Sequence, residues 1–283
     1  MTISWQQDAG ALLWSVGGAL LLLALGGAFL YVLTRRAAAL ARPFRRADDW
    51  LLVHLPRCWR PLRTRIAQGA ARKLAVLGGF VLFIGAVYVF AEIADSWMSR
   101  ETLYRIDQGV QAALARGVSD AVLRFMHATT YLGDVLMVLV VGGATGVYLW
   151  RRRAYRLLVS LVLALGGGQA VVFALKWAFA RSRPHGGLTD PVGSSFPSGH
   201  TFTATVLWGF LIVLAWRFVD SRSLRLAAVC ALTAFMFTAG VSRVVLGVHW
   251  VSDVFGGWSI GLAWLTCVLL TTRMWGSAKL LSH

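Results

Sequence analysis

The chain has 283 residues, 58% of them hydrophobic and only 14% charged, where a soluble domain carries roughly 25% charge. That deficit excludes an ordinary water-exposed globule. The formal net charge of +16 would suit a nucleic acid, but the basic residues stand in short blocks between apolar runs, which the positive-inside rule explains with no nucleic-acid partner.

Apolar runs long enough to cross a bilayer, about 20 residues each, recur along the whole chain. They are Ala11–Leu33, Leu74–Ala94, Val135–Trp150, Leu157–Ala180, His200–Phe218, Leu226–Val245 and Asp253–Thr272. The expected fold is an all-α integral membrane protein. The first run has no basic residue ahead of it and exceeds the apolar core of a signal peptide, so it reads as a retained anchor. The segment after it is rich in arginine and contains Pro43, Pro56 and Pro61, so one straight helix is not expected there. Around Trp50–Leu55 it has the look of a short amphipathic helix on anionic headgroups, and a plain inner loop accounts for it equally. The chain therefore divides into 1–73, an anchor plus a basic segment, and 74–283, a six-helix bundle.

Within the bundle, 95–134 is a mixed-charge connection. Ile106, Val110, Ala113, Leu114, Val118, Val122 and Phe125 predict a helix from about Arg105 to Phe125. Gly166, Gly167 and Gly168 lie mid-span, where small residues favour close helix packing rather than a phosphate loop. Trp97, Trp150, Trp177 and Trp250 suit interfacial belts. Cys58, Cys230 and Cys267 show no disulfide framework or zinc spacing. The arginine blocks 35–73, 151–156, 217–225 and 273–279 fall in every second connection. All can lie in the cytoplasm, which puts the N-terminus outside, the C-terminus inside, and 95–134, 181–199 and 242–252 outside.

The informative polar residues lie at helix ends on that outer side. Lys176 and Arg183 are seven apart, nearly two helical turns, so one helix would place both on one face. Pro184 disfavours helix at Arg183. Two side chains snorkelling to the interface would equally account for the pair. Next comes Pro197-Ser198-Gly199-His200. Ser198 can cap the fifth span, its free N–H groups form an anion site, Gly199 lets an anion approach the backbone, and His200 can give a proton. A helix cap beside an unrelated histidine is the plain alternative. Finally come Ser242-Arg243, His249 and Asp253. At a spacing of four, Asp253 can orient the His249 ring and leave its far nitrogen as a nucleophile, or simply cap the seventh span. Arg243 offers a fork suited to phosphate oxygens. Three cations near the bilayer are costly alone, so a shared anionic ligand explains them.

These three groups resemble the signature motifs of the type-2 phosphatidic acid phosphatase superfamily, which also includes vanadium haloperoxidases and soluble acid phosphatases. Order, spacing and residue types match across 176–253. The resemblance in helix plan extends from about 74 to 272, and Thr129–Asp134 is a weaker family feature. It implies a metal-independent phosphatase with no cofactor. Lys176, Arg183 and Arg243 would bind phosphate, aided by Ser198 and Gly199. His249 would attack phosphorus, His200 would protonate the leaving group and Asp253 would orient His249. The implied substrates are lipid phosphates: phosphatidic acid, phosphatidylglycerol phosphate, undecaprenyl pyrophosphate or a lipid A phosphate. The implied location is a bacterial inner membrane with a periplasm-facing site. A lipid phosphotransferase shares the first half-reaction and stays open. A non-catalytic anionic-lipid binder or transporter would not need both His249 and Asp253. His54, His127 and His185 lie outside the motifs.

Overall fold

The computed structural model describes residues 52–54, 56–100, 102–184 and 193–278. The expected first span lies outside them, as do Trp50, Leu51 and Leu55 of the Trp50–Leu55 segment. Helices α1 (Pro56–Met98), α2 (Thr102–Leu114), α3 (Asp120–Thr130), α4 (Val135–Arg151), α5 (Tyr155–Phe179), α6 (Gly199–Phe218), α7 (Arg222–Val245) and α8 (Val251–Ala278) follow in order. No strand occurs among the described residues. Backbone contacts divide the chain into two units at Leu77/Gly78, and the site residues all belong to the second.

Among the described residues five helices are long and apolar enough to cross a membrane: α1 from Lys73, then α5, α6, α7 and α8 to Thr272. Helix α4 reaches crossing length only together with α3, across a bend of 48°. Asp134 makes that bend, because its carboxylate accepts from the Val135 N–H at 2.5 Å and starts α4 anew. Large apolar side chains such as Phe173, Trp177, Val135 and Leu136 remain exposed. Water would penalise that surface; lipid does not.

The second unit is built round α6, the most buried span, packed on α7 and α8. Phe202, Val206 and Phe210 fill one side of α6 against Leu149, Leu161, Leu265 and Val268, and Ala204, Leu207 and Trp208 fill the other. Small residues set how closely the helices approach. A Cβ on Gly257 of α8 would lie 2.8 Å from the Ser198 carbonyl oxygen and 2.9 Å from Thr201 Cβ, and one on Gly261 would lie 2.9 Å from Thr205 Cβ. The expected packing role of the glycines in α5 holds at two of the three. Gly167 and Gly168 abut Trp264 and Phe202, while Gly166 faces open space. That stretch is a π-helical turn, Leu163–Gly167, and Trp264 Nε1–H donates to its Ala164 carbonyl at 2.9 Å. The widened turn therefore exchanges part of its own ladder for a bond to α8.

Helix α1 begins at Pro56 and holds Pro61, while Pro43 lies outside the described residues. Proline removes one backbone bond and bends a helix without having to end it. The single helix expected from Arg105 to Phe125 is two helices, because Gly117 takes φ +124 between them. The apolar period runs on across that break by chance, and Val122 and Phe125 are exposed. The stripe of α2 that does pack is centred on a carboxylate, Asp107, which is 1% exposed.

Candidate active site

The site forms where the chain leaves α5, enters α6, and turns from α7 into α8. Helix α5 stops at Phe179, because Ala180 adopts the left-handed conformation, φ 45, while its N–H still bonds the Lys176 carbonyl. The stop comes earlier than Pro184 alone implies. Lys176 and Arg183 therefore do not share a helix face, as their spacing suggested. Lys176 is on the last turn of α5, and Arg183 arrives on the irregular segment beyond it. They still converge, since Lys176 Nζ and Arg183 Nη2 both reach the Ser194 carbonyl, at 2.5 and 3.5 Å.

Helix α6 opens as its sequence suggests. Ser198 is the N-cap; its hydroxyl oxygen accepts from the Thr201 N–H at 3.5 Å and from the Thr201 hydroxyl at 2.9 Å. That leaves the Gly199 and His200 N–H groups at the positive end of the helix, the arrangement that suits an anion. Gly199 keeps this end open. A Cβ there would touch the Lys176 Cε at 3.7 Å. His200, half-buried, sits with its backbone against Gly133, where a Cβ would lie 2.6 Å from the His200 carbonyl oxygen. The Thr129–Asp134 segment thus meets the site.

Helix α7 ends in a tight turn in which Gly247 takes φ 71. The Arg243 carbonyl accepts from both the Val248 and His249 N–H groups, at 3.2 Å each. The turn fastens His249 to the helix that carries Arg243. The Arg243 side chain donates from Nη1 to Thr130 Oγ1 at 2.7 Å, while its Nε is buried without a partner. His249 is buried. Its Nδ1 faces Asp253 Oδ2 at 3.2 Å and its Nε2 faces Arg183 Nη1 at 3.2 Å. Asp253 also accepts from the Trp250 N–H at 2.9 Å, so it caps α8 and faces the imidazole at once. His249 precedes α8, and the pair meets across a helix start rather than along a helix.

With Nδ1–H donating to a carboxylate, the lone pair falls on Nε2, where Arg183 donates to it. Burial pushes the His249 pKa down to about 4, against the upward pull of Asp253. Burial therefore favours the neutral imidazole at ordinary pH. No cluster of three or more His, Cys, Asp or Glu able to hold a metal occurs among the described residues. Cys230 and Cys267 are free thiols away from the site.

Several residues here gave no sequence signal. Arg181, two residues before Arg183, turns inward to Asp253 and Asp107. Gln111 Nε2–H donates to the His249 carbonyl at 3.2 Å. Thr130, which holds Arg243, is different, since it lies in the Thr129–Asp134 segment already singled out. A lone acid in α2 and a second arginine beside a motif arginine read as surface charge until the fold brings them together.

Comparison with known proteins decides the family. Over 143 residues the chain is 32% identical to phosphatidylglycerophosphatase B of Bacillus subtilis, covering 48% of this chain and 68% of that protein. The chain belongs to the PAP2 superfamily. The model of that superfamily matches residues 157–277, which contain all three motifs. Over 109 residues the chain is also 37% identical to a lipid A 1-phosphatase of Porphyromonas gingivalis, covering 38% of this chain and 22% of that protein. A crystal structure of a transmembrane PAP2-type phosphatidylglycerolphosphate phosphatase from Bacillus subtilis superposes with a TM-score of 0.54 at 26% identity, over 68% of this chain and 94% of that one. The chain is accordingly a multi-pass membrane phosphatase of the PAP2 type, a class of phosphoric ester hydrolases that act without a metal.

Proposed function

We propose that this PAP2 phosphatase removes phosphate from a lipid phosphate or pyrophosphate through a phosphohistidine on His249. The observation that carries this is the His249 ring, with Asp253 on Nδ1, Arg183 at Nε2, and the start of α6 and Lys176 alongside. Phosphate oxygens take the N–H groups that Arg183 now gives to the ring and to the Val248 carbonyl, together with Lys176, Arg243 and the N–H groups of Gly199 and His200. Three cations and a helix N-terminus supply the charge stabilisation that a metal supplies elsewhere. The Nε2 lone pair attacks phosphorus, the bond to the lipid oxygen breaks, and His200 gives that oxygen a proton. Water then attacks the phosphohistidine, His200 takes its proton, and phosphate leaves.

The relatives, by name a phosphatidylglycerophosphatase and a lipid A 1-phosphatase, support a lipid substrate. The arginine blocks support a site on the outer face of a bacterial inner membrane, with residues 1–73 as an anchor preceding the phosphatase core. Rapid quenching after mixing with radiolabelled phosphatidic acid should leave acid-labile phosphate on His249. In His249→Ala both label and turnover should vanish, and EDTA should change neither in the wild type. A fully active His249→Ala protein would refute the mechanism.

A further inference from the structure

Behind the nucleophile, on the side away from the phosphate-binding groups, lies a second set of charges. Arg181 is 7% exposed. Its Nη1 donates to Asp253 Oδ1 and to Ser252 Oγ, both at 2.7 Å, and its Nη2 donates to Asp107 Oδ2 at 2.7 Å. Asp107 also accepts from the Ser252 N–H at 2.9 Å and from the Ser252 hydroxyl at 2.5 Å. The guanidinium stands 4.5 Å from the centre of the Trp97 ring and 5.5 Å from that of Trp250, which shield it from water.

We infer that Arg181 is a positioning residue for the histidine chemistry: forked between Asp107 and Asp253, it fixes Asp253 so that its other oxygen meets the His249 ring. The inference rests on the function proposed above. The two Asp253 oxygens are divided between two tasks. Oδ1 belongs to Arg181, while Oδ2 belongs to His249 Nδ1 and the Trp250 N–H. A carboxylate held at one oxygen by a charged, planar donor cannot swing away from the imidazole. Arg181 in turn cannot swing, because Asp107 holds its second nitrogen. Charge gives the same result. Asp107 and Asp253 are both buried; Arg181 bonds both, while the Ser252 hydroxyl and N–H bond Asp107 alone. Without the arginine, the two buried carboxylates would lose the one cation that bonds them both. Burial alone pushes the Asp107 pKa up, and the bonds from Ser252 and Arg181 oppose it. The guanidinium thus opposes protonation of Asp107, and a carboxylate at Asp253 favours the Nδ1–H tautomer of His249. Three separate stretches meet here: α2 with Asp107, the segment after α5 with Arg181, and the start of α8 with Ser252 and Asp253. A tie serving stability alone would need only one carboxylate.

The test compares Arg181→Gln, Arg181→Lys and Asp107→Asn in purified full-length protein, with phosphatidic acid in detergent micelles. His249 is faced by Asp253 from α8, Arg183 from beyond α5, Lys176 from α5 and His200 from α6, and all of these remain in each variant. Arg181→Gln should lower kcat by about 10²-fold, the scale of a small misplacement of a reacting group, with KM little changed. It should also move the acid limb of kcat/KM to higher pH, since an uncompensated Asp253 favours the imidazolium. Arg181→Lys keeps the charge, so the limb should return toward its wild-type position. Its kcat should recover only in part, because an ammonium cannot fork to both acids. Asp107→Asn should lower kcat by a smaller factor at unchanged KM. A folded Arg181→Gln protein with wild-type kcat, or with an unmoved acid limb, would overturn the inference. If Arg181→Gln does not elute as a folded species, Asp107→Asn decides: wild-type kcat in that variant overturns it, and lowered kcat at unchanged KM supports it. His249→Ala, run in parallel, separates the two levels. If it is active, the histidine mechanism itself fails. If it is dead while Arg181→Gln is normal, only the role of Arg181 falls.

Discussion

At His249 two effects oppose each other. Burial lowers its pKa to about 4, and the hydrogen bond and charge of Asp253 act upward. The neutral imidazole that the proposed mechanism needs is therefore favoured well below the ordinary histidine value of about 6.5. The same shift governs stability. Between pH 6.5 and about 4 the unfolded chain binds a proton that the folded one does not, so stability falls as pH drops through that window. Replacing Asp253 by Asn removes both upward effects. The acid limb of kcat/KM assigned to His249 should then move to still lower pH, while kcat falls by about 10²- to 10⁴-fold as the ring loses its preferred tautomer. An upward move of the limb in Asp253→Asn, measured over pH 3.5 to 8 (roughly the window in which a histidine titrates), would contradict this. The His249–Asp253 partnership was legible from a spacing of four. The opposite end of Asp253 was not. Arg181 and Asp107 are 74 residues apart, and no local pattern marks a contact that only tertiary packing creates.

Elements were legible to the degree that their period was strong. Spans α5 to α8 lie within a few residues of the apolar runs that predicted them, because in lipid every backbone group must bond within its own segment. The break between α2 and α3 was missed because apolar residues kept a helical period through Gly117, whose positive φ is a property of one residue rather than of a pattern. The start of α6 matters most to the chemistry, and its height is set by glycine on α8. Gly257→Ala puts a methyl 2.8 Å from the Ser198 carbonyl oxygen and 2.9 Å from Thr201 Cβ, both on or beside rigid backbone. Overpacking of that kind costs about 1–3 kcal/mol. It should lower the Tm in detergent and displace the N–H groups of Gly199 and His200, raising KM for the lipid. Gly143→Ala, where a Cβ meets nothing within 4 Å, should leave both unchanged. Equal effects of the two substitutions would mean that helix propensity, and not the α6–α8 approach, is what the glycines serve.

For the whole molecule, the open physical question is which membrane face the site occupies. The arginine blocks give an internally consistent answer. Arg151, Arg152 and Arg153 at the end of α4, and Arg217, Arg222 and Arg225 around the start of α7, lie at one end of the bundle's helices. Arg183, Arg243 and His249 lie at the other, because α5 and α7 each run from a basic block to a site residue. Positive blocks are retained in the cytoplasm, so the site end should face outward, where water can supply the second half-reaction and the freed phosphate can escape. The cations of the site are not counterexamples, since Arg183 and Arg243 are committed to the site's own carbonyls, hydroxyl and ring rather than left as a loose juxtamembrane block. Single cysteines at Ala115, exposed beyond α2, and at Ser223, exposed at the start of α7, report on the two ends when Cys58, Cys230 and Cys267 are absent. In intact spheroplasts an impermeant maleimide should label the cysteine at 115 and not the one at 223, and permeabilisation should expose the second. Labelling of 223 alone would turn the bundle over. The phosphatase would then act on the cytoplasmic leaflet, and substrates confined to the outer leaflet would be excluded whatever the chemistry at His249.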